Sequence, residues 1–571
     1  MIEIRNLTFK YQDAKQNALN NISMKIEDGD FIGIIGESGA GKTTLCNSIN
    51  ALIPHHFHGD YYGNVLINEK DTFETPPGKL ALNVGSVFQD IDSQMISTIV
   101  EDEILFGLEN FGIPKDAIEK RVASTLEEVG ITELRYRDIS SLSGGQKQKV
   151  AIASILALQP QILVLDEPTG ELDPASSLQI FGLLKKINQE KGITIIVVEQ
   201  KIMLLCEFAK KLAVLEKGSL FAFDKVRNVL KKSEELEKMG INIPRVVTLI
   251  NRLKHKKLLK NDENFELPLN AYEAGEIIKK EIIKDKNLTL EVKSNIVEDD
   301  SNKNAPEILK FDHVHFSYKN EAGLTDINVS INKGDFVAIV GSNGAGKSTF
   351  SKLCNGLLKP AKGDVTILNH NTKKVKTSKL AKNIGFLFQN PDRQICCKTV
   401  REEIQFSLKN IGLPQEEIEN RTEKIIKEFE FDESKNPFDL SRGQRQKLCL
   451  ACLIALQSEI LILDEPTTGL DYKECMELMG KIKELNRQGT TVIMVCHDME
   501  VILDFATRLL VMTNGRLLAQ GITKHILSDN ELLKYARLTK PQIAETCDYL
   551  GENFYNTFAT EELIEKLEKI V

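Results

Sequence analysis

A chain of 571 residues is too long for one hydrophobic core and predicts two or more domains. Its 42% apolar and 27% charged residues match an ordinary globular protein, and a net charge of −9 argues against a nucleic-acid partner. No apolar run approaches the ~20 residues of a membrane span; the longest covers residues 448–456. The opening MIEIRNLTF has neither a basic nor an apolar leader region, so no signal peptide is expected. Ten cysteines without regular spacing read as reduced cytosolic thiols.

Residues 2–9 and 22–26 alternate like antiparallel strands. The apolar run from Phe31 to Ile35 enters GESGAGKT (36–43), a G-x-x-x-x-G-K-[ST] pattern between strand and helix. Gly36, Gly39 and Gly41 let backbone N–H groups close around phosphate oxygens. The helix N-terminus adds partial positive charge, Lys42 reaches the β- and γ-phosphates, and Thr43, followed by Thr44, offers a hydroxyl to Mg²⁺. His55, His56 and His58 lie in a loop without Cys or carboxylate partners at ligand spacing, which argues against a metal site. The run VGSVFQ ends at Phe88-Gln89, and an acidic helix start with Asp92 follows. LSGGQ (142–146) contains Ser143 and Gly145 and leads into a helical run halted at Pro160. ILVLDE then reads as a buried parallel strand, with Asp166 and Glu167 at its carboxyl end, where open α/β sheets bind ligands.

All of this recurs. Phe9-Lys10-Tyr11 returns as Phe316-Ser317-Tyr318. The phosphate loop returns as GSNGAGKS (341–348), with Gly341, Gly344, Gly346, Lys347 and Ser348, then Thr349. Phe388-Gln389, LSRGQ with Ser441 and Gly443, and ILILDE with Asp464 and Glu465 follow. The serine-to-aspartate spacing is 23 in both copies (143 to 166, 441 to 464). Cys449 and Cys452 form a CxxC inside an apolar helical run, which favours packing over metal chemistry. INIPRVVTLINRL (241–253) resembles LTKPQIAETCDYL (538–550), so a small helical tail follows each copy. Residues 245–307 balance basic against acidic residues, and the polar stretch around Glu298 reads as a linker.

These motifs resemble the ATP-binding-cassette (ABC) ATPases. The resemblance implies an α/β fold: two P-loop (RecA-like) cassettes in tandem, each with a helical subdomain and a helical extension. The expected boundaries are 1–240 and 241–285, a linker at 286–305, then 306–537 and 538–571. It implies binding of ATP and Mg²⁺. Tyr11 and Tyr318 stack on adenine; Ser143, Gly145, Ser441 and Gly443 belong to the signatures. Glu167 and Glu465 are bases. Asp166 and Asp464, with Thr43, Ser348, Gln89 and Gln389, serve Mg²⁺, and the two glutamines also meet the attacking water. His497 is a switch histidine. Aligned strand to strand, the first copy has Gln200 there.

The segments after Gln89 and Gln389, QDIDSQMISTIVEDEILFGLENFGIP and QNPDRQICCKTVREEIQFSLKNIGLP, resemble the ATPases of energy-coupling factor (ECF) importers of vitamins and metals. That implies a transmembrane coupling subunit docked there, with Asp92 and Asp392 facing it. It also implies a separate substrate-binding membrane protein and a peripheral position on the cytoplasmic side of the cell membrane. No nucleic acid is expected, and the solute stays unnamed. Cassettes of this family pair head to tail, here within one chain. The lost histidine and Arg442 in LSRGQ then burden the same ATP site, and the second copy is expected to do most of the hydrolysis. The alternative is a soluble tandem ABC ATPase acting on ribosomes or nucleic acid; it predicts a long basic insert between the copies, and the tail repeat stands there instead.

Overall fold

The computed structural model describes residues 1–12, 14–170, 172–260, 265–284, 305–318 and 321–570, with only the backbone of 321 and 322. They fall into two compact units, one ending at Lys284 and the other running to Ile570. The expected linker around Glu298 lies outside the described residues.

In the first unit, Ile2–Tyr11 pairs antiparallel with Leu19–Ile26 and with Gly59–Ile67, in a sheet of four strands. A second sheet of six strands runs in the order Ser219–Lys225, Lys211–Glu216, Phe31–Gly36, Thr194–Val198, Ile162–Asp166, Val84–Val87. Its first pair is antiparallel and all the others are parallel. The central strands are β-branched and leucine-rich and buried on both faces, as parallel strands covered on both sides must be. The second unit repeats both sheets, with Phe336–Val340, Thr491–Val495, Ile460–Asp464 and the edge strand Ile384–Leu387 as equivalents of Phe31–Gly36, Thr194–Val198, Ile162–Asp166 and Val84–Val87.

The helical part of the first unit comprises Val100–Asn110, Lys115–Val129 and Gly144–Leu156, matched by Val400–Ile411, Gln415–Phe429 and Arg442–Leu456. The helix after each signature begins inside the motif, earlier than the apolar pattern alone suggests. The reason is a capping box: Ser143 Oγ accepts the N–H of Gln146, and the Gln146 side chain accepts the N–H of Ser143. Ser441 and Gln444 repeat it. The tails form the helices Arg245–His255 and Ala271–Ile278, and again Gln542–Leu550 and Thr560–Glu568.

One ion pair fixes the start of each phosphate-loop strand. Asp30 precedes Phe31 with its side chain 1% exposed, and Lys210 and Lys211 donate to it at 2.7 and 2.8 Å. In the second unit Asp335 holds Arg508 at 2.6 Å. Burial alone would raise the Asp30 pKa; the two ammonium hydrogen bonds outweigh it, and the carboxyl is held below its ordinary range. Its contribution is therefore complete above the unfolded value of ~4 and is lost as pH falls through the folded value. Asp30→Asn is expected to destabilise the first unit by about 2 kcal/mol at pH 7, with the deficit shrinking in acid. Urea unfolding of variant and wild type at both pH values measures this; a deficit that grows in acid contradicts it.

Candidate functional site

Four neighbouring parallel strands deliver the predicted residues to one sheet edge. The strand Phe31–Gly36 opens into the phosphate loop, Thr194–Val198 leads to Gln200, Ile162–Asp166 ends at Asp166 with Glu167 next, and Val84–Val87 leads to Gln89. Convergence at the carboxyl ends thus follows from strand order alone.

The loop is built around close backbone approach. A Cβ on Gly36 would lie 2.4 Å from the carbonyl oxygen of Leu215, and one on Gly341 would lie 2.1 Å from that of Met512. Lys42 is buried with Nζ 2.8 Å from the carbonyls of Gly36 and Glu37. Lys347 repeats this with Gly341 and Ser342 at 2.8 and 3.0 Å. The phenol of Tyr11 hydrogen-bonds Thr44 at 3.2 Å and that of Tyr318 bonds Thr349 at 3.4 Å, which seats both rings beside the loops. Each ring packs edge-on against the phenylalanine two residues earlier.

Thr43 Oγ1 donates to Asp166 at 2.7 Å. Ser348 pairs with Asp464, whose Oδ1 is buried and has no hydrogen-bond partner among the described residues. Burial pushes both aspartates up, Asp464 to about 6. Hydroxyl and carboxylate oxygens, desolvated and with one lone oxygen left over, fit a hard cation such as Mg²⁺.

The two glutamates occupy the same geometry with different partners. Both adopt left-handed backbone, φ 49° at Glu167 and 54° at Glu465, uncommon for a residue with a side chain and frequent at functional sites. The Glu167 carboxylate accepts from Gln89 at 2.7 Å on one oxygen and from Gln200 at 2.7 Å on the other. Glu465 has Gln389 at 3.3 Å, and His497 Nε2 at 3.1 Å on its second oxygen. Gln200 therefore stands in the position of His497, as the strand alignment expects. The electrostatics diverge. Burial raises Glu167, the charges of Glu199 and Asp166 add to it, and the Gln200 hydrogen bond offsets only part. Burial also pushes Glu465 up, but its interactions with His497 and Lys347 outweigh this and hold it below its ordinary range.

Two residues beside the first site belong to no sequence motif. Glu199 is buried; it accepts from Thr169 Oγ1 and from the N–H groups of Gln200 and Lys201. Lys201 Nζ donates to the carbonyls of Thr169 and Leu172 and to Ser177. Together they bind the turn carrying Gln200 to the turn after Glu167. Their equivalents are Cys496 and Asp498, and that contrast beside a strand end was the available signal. Asp92 pairs with Lys147 at 2.6 Å, and Asp392 with Arg445 at 2.7 Å, so each acid after the Q-loop is bonded to the signature helix of its own unit. His55 and His58 bond the carbonyls of Thr72 and Pro54, and His56 packs against Phe57. Cys449 and Cys452 are buried in the helical core.

A family model for ABC transporters matches residues 19–170 and 324–468. An ABC transporter ATP-binding protein of Caldanaerobacter subterraneus subsp. tengcongensis is 36% identical over 577 residues, covering 99% of this chain and 98% of its own. The HMP/thiamine import ATP-binding protein YkoD of Bacillus subtilis is 33% identical over 551 residues, covering 95% and 96%. Among solved structures, cbiO1 of Clostridium perfringens, described as part of the ABC transporter complex cbiONQ, is 33% identical. It covers 44% of this chain and 98% of its own, with a TM-score of 0.38.

The signatures differ in steric tolerance. A Cβ at Gly443 would meet the carbonyl oxygen of Gly469 at 2.5 Å, whereas at Gly145 the nearest atoms are 3.5 Å away. At Gly144, where the second unit carries Arg442, the nearest atom is also 3.5 Å away, so a side chain fits at that helix start. Gly443→Ala is expected to destabilise the second unit by about 2 kcal/mol, and Gly145→Ala to stay within ~0.5 kcal/mol of wild type. Thermal or urea unfolding reads both; equal effects contradict the geometry.

Proposed function

The chain belongs to the ABC transporter ATP-binding proteins, and from that premise we propose that it is the energy-coupling subunit of an ECF-type importer for a small solute such as a vitamin or a metal ion. It is an ATPase with two cassettes. The observation that carries the importer reading is the segment after each Q-loop glutamine, repeated in both units and leading into a helix with an exposed phenylalanine at the same place. Phe106 is 43% exposed and Phe406 is 46% exposed. The resemblance to an HMP/thiamine import protein over nearly the whole chain supports the same reading. Among the described residues no helix is long and apolar enough to cross a membrane, so passage of the solute is assigned to partner subunits: a transmembrane coupling protein and a substrate-binding membrane protein. The chain would then sit at the membrane's cytoplasmic face.

In the proposed mechanism the phosphate-loop N–H groups with Lys42 or Lys347 receive the β- and γ-phosphates. Tyr11 and Tyr318 take the adenine. Thr43 with Asp166, and Ser348 with Asp464, would hold Mg²⁺, which would supply charge neutralisation at the phosphates. Glu167 or Glu465 accepts the proton of a water placed with help from Gln89 or Gln389. His497 Nε2, bonded to Glu465, is placed to stabilise charge developing on the γ-phosphate.

The units are proposed to be unequal. Glutamine at position 200 can donate a hydrogen bond but cannot carry the charge of an imidazolium. Loss of one charged transition-state contact costs roughly 3 kcal/mol, about a hundredfold in rate. In the assembled complex, Glu465→Gln is expected to abolish nearly all ATP hydrolysis and Glu167→Gln to reduce it less. A more severe defect from Glu167→Gln refutes the assignment.

The docking reading is tested separately. Phe106→Asp with Phe406→Asp is expected to abolish co-purification of the coupling subunit while leaving both units folded by circular dichroism. Full retention of the complex would move the docking surface elsewhere.

A further inference from the structure

Among the described residues, one cluster of ligating side chains outside both phosphate loops occurs in the second unit and not in the first. Glu403, in the first turn of the helix Val400–Ile411, is 4% exposed, and its Oε2 accepts the N–H groups of Cys396 at 2.9 Å and Cys397 at 2.7 Å. Glu103 does the same in the first unit, accepting from Ile96 and Ser97 at 3.0 and 2.7 Å. Tethering this segment to its helix is therefore a structural task common to both copies. The thiols are an addition, standing where the first unit has an isoleucine and a serine.

Cys396 Sγ, Cys397 Sγ and a Glu403 carboxylate oxygen all lie within 4.8 Å of one another. Glu403 Oε1, the oxygen not used by the two N–H groups, is 4.0 Å from Cys396 Sγ. Metal–sulfur bonds of ~2.3 Å and metal–oxygen bonds of ~2.1 Å place tetrahedral ligands about 3.5–4 Å apart, so small side-chain rotations close the set. The cluster is reachable: of the ten cysteines, Cys396 is exposed and Cys397 half-buried, while the other eight are buried.

Burial and then the Glu403 charge push both thiols up, Cys397 to about 12. A dication reverses that balance, because it stabilises thiolates and carboxylate together. Two sulfurs and one oxygen favour a borderline-soft d¹⁰ ion over Mg²⁺ or Ca²⁺, which prefer all-oxygen sites.

We propose that Cys396, Cys397 and Glu403 form a binding site for one thiophilic divalent cation of the zinc–cadmium class, with water as the fourth ligand. Binding exchanges two thiol protons for one dication, with no change of oxidation state. The site rests on these three donors and is independent of the docking reading.

The test is a titration of the tag-free full-length chain with Cd²⁺ in a non-thiol reductant, followed by thiolate-to-cadmium charge-transfer absorbance. The expected result is a signal that saturates at one equivalent and is displaced by Zn²⁺. The Cys396→Ser/Cys397→Ser variant loses it. Glu403→Gln, which keeps an acceptor for the two N–H groups, binds at least tenfold more weakly, and Glu103→Gln in the first unit binds as wild type. No saturable signal, an undiminished signal in the double serine variant, or unchanged affinity in Glu403→Gln would overturn the proposal.

Discussion

A carboxylate taken out of water at the end of a β-strand must be held by donors, and the choice of donors governs what it can do. Glu167 and Glu465 are such carboxylates. Each follows the last residue of a fully buried parallel strand, in left-handed backbone, with its two oxygens divided between a glutamine from one neighbouring strand and a residue from the other. The order of strands in the sheet makes this arrangement possible, and the ion pair at the start of each phosphate-loop strand, Asp30 or Asp335, anchors that order from below.

Duplication allows each unit to serve as a control for the other. The glutamine donors Gln89 and Gln389, the lysines of the phosphate loops and the capping boxes are the same in both. The switch position is not. Gln200 is fixed by a clamp of Glu199 and Lys201 that ties its turn to the one after Glu167, and Glu199 also raises the neighbouring carboxyl. In the second unit Cys496 stands at the clamp position, and Glu465 is drawn below its ordinary range by His497 and Lys347. A neutral amide against a raised carboxyl, and an imidazole against a lowered one, are two different chemical settings on one scaffold.

Much of this was legible in the sequence because it is local. The phosphate loops lie between a strand and a helix within a few residues, and the acids at the ends of ILVLDE and ILILDE follow from an apolar run of strand length. The substitution of Gln200 for His497 appears as soon as TIIVVEQ is laid beside TVIMVCH. What was not legible depends on contacts between distant segments. Nothing near Asp92 or Asp392 in sequence says that a signature-helix cation already bonds it, so those acids read as free for a partner. The Glu199–Lys201 clamp needs Thr169 and Leu172 brought alongside, and the thiol cluster needs Glu403 turned back on its own preceding loop.

The residue that shares the glutamate with the Q-loop glutamine is proposed to set the rate of its unit. Steady-state ATP hydrolysis by the assembled complex carrying His497→Gln tests this most directly, because the variant gives the second unit the donor pair of the first. A fall of about a hundredfold is expected, the rate equivalent of roughly 3 kcal/mol. Turnover at the wild-type level would contradict it, since an amide would then serve as well as an imidazole.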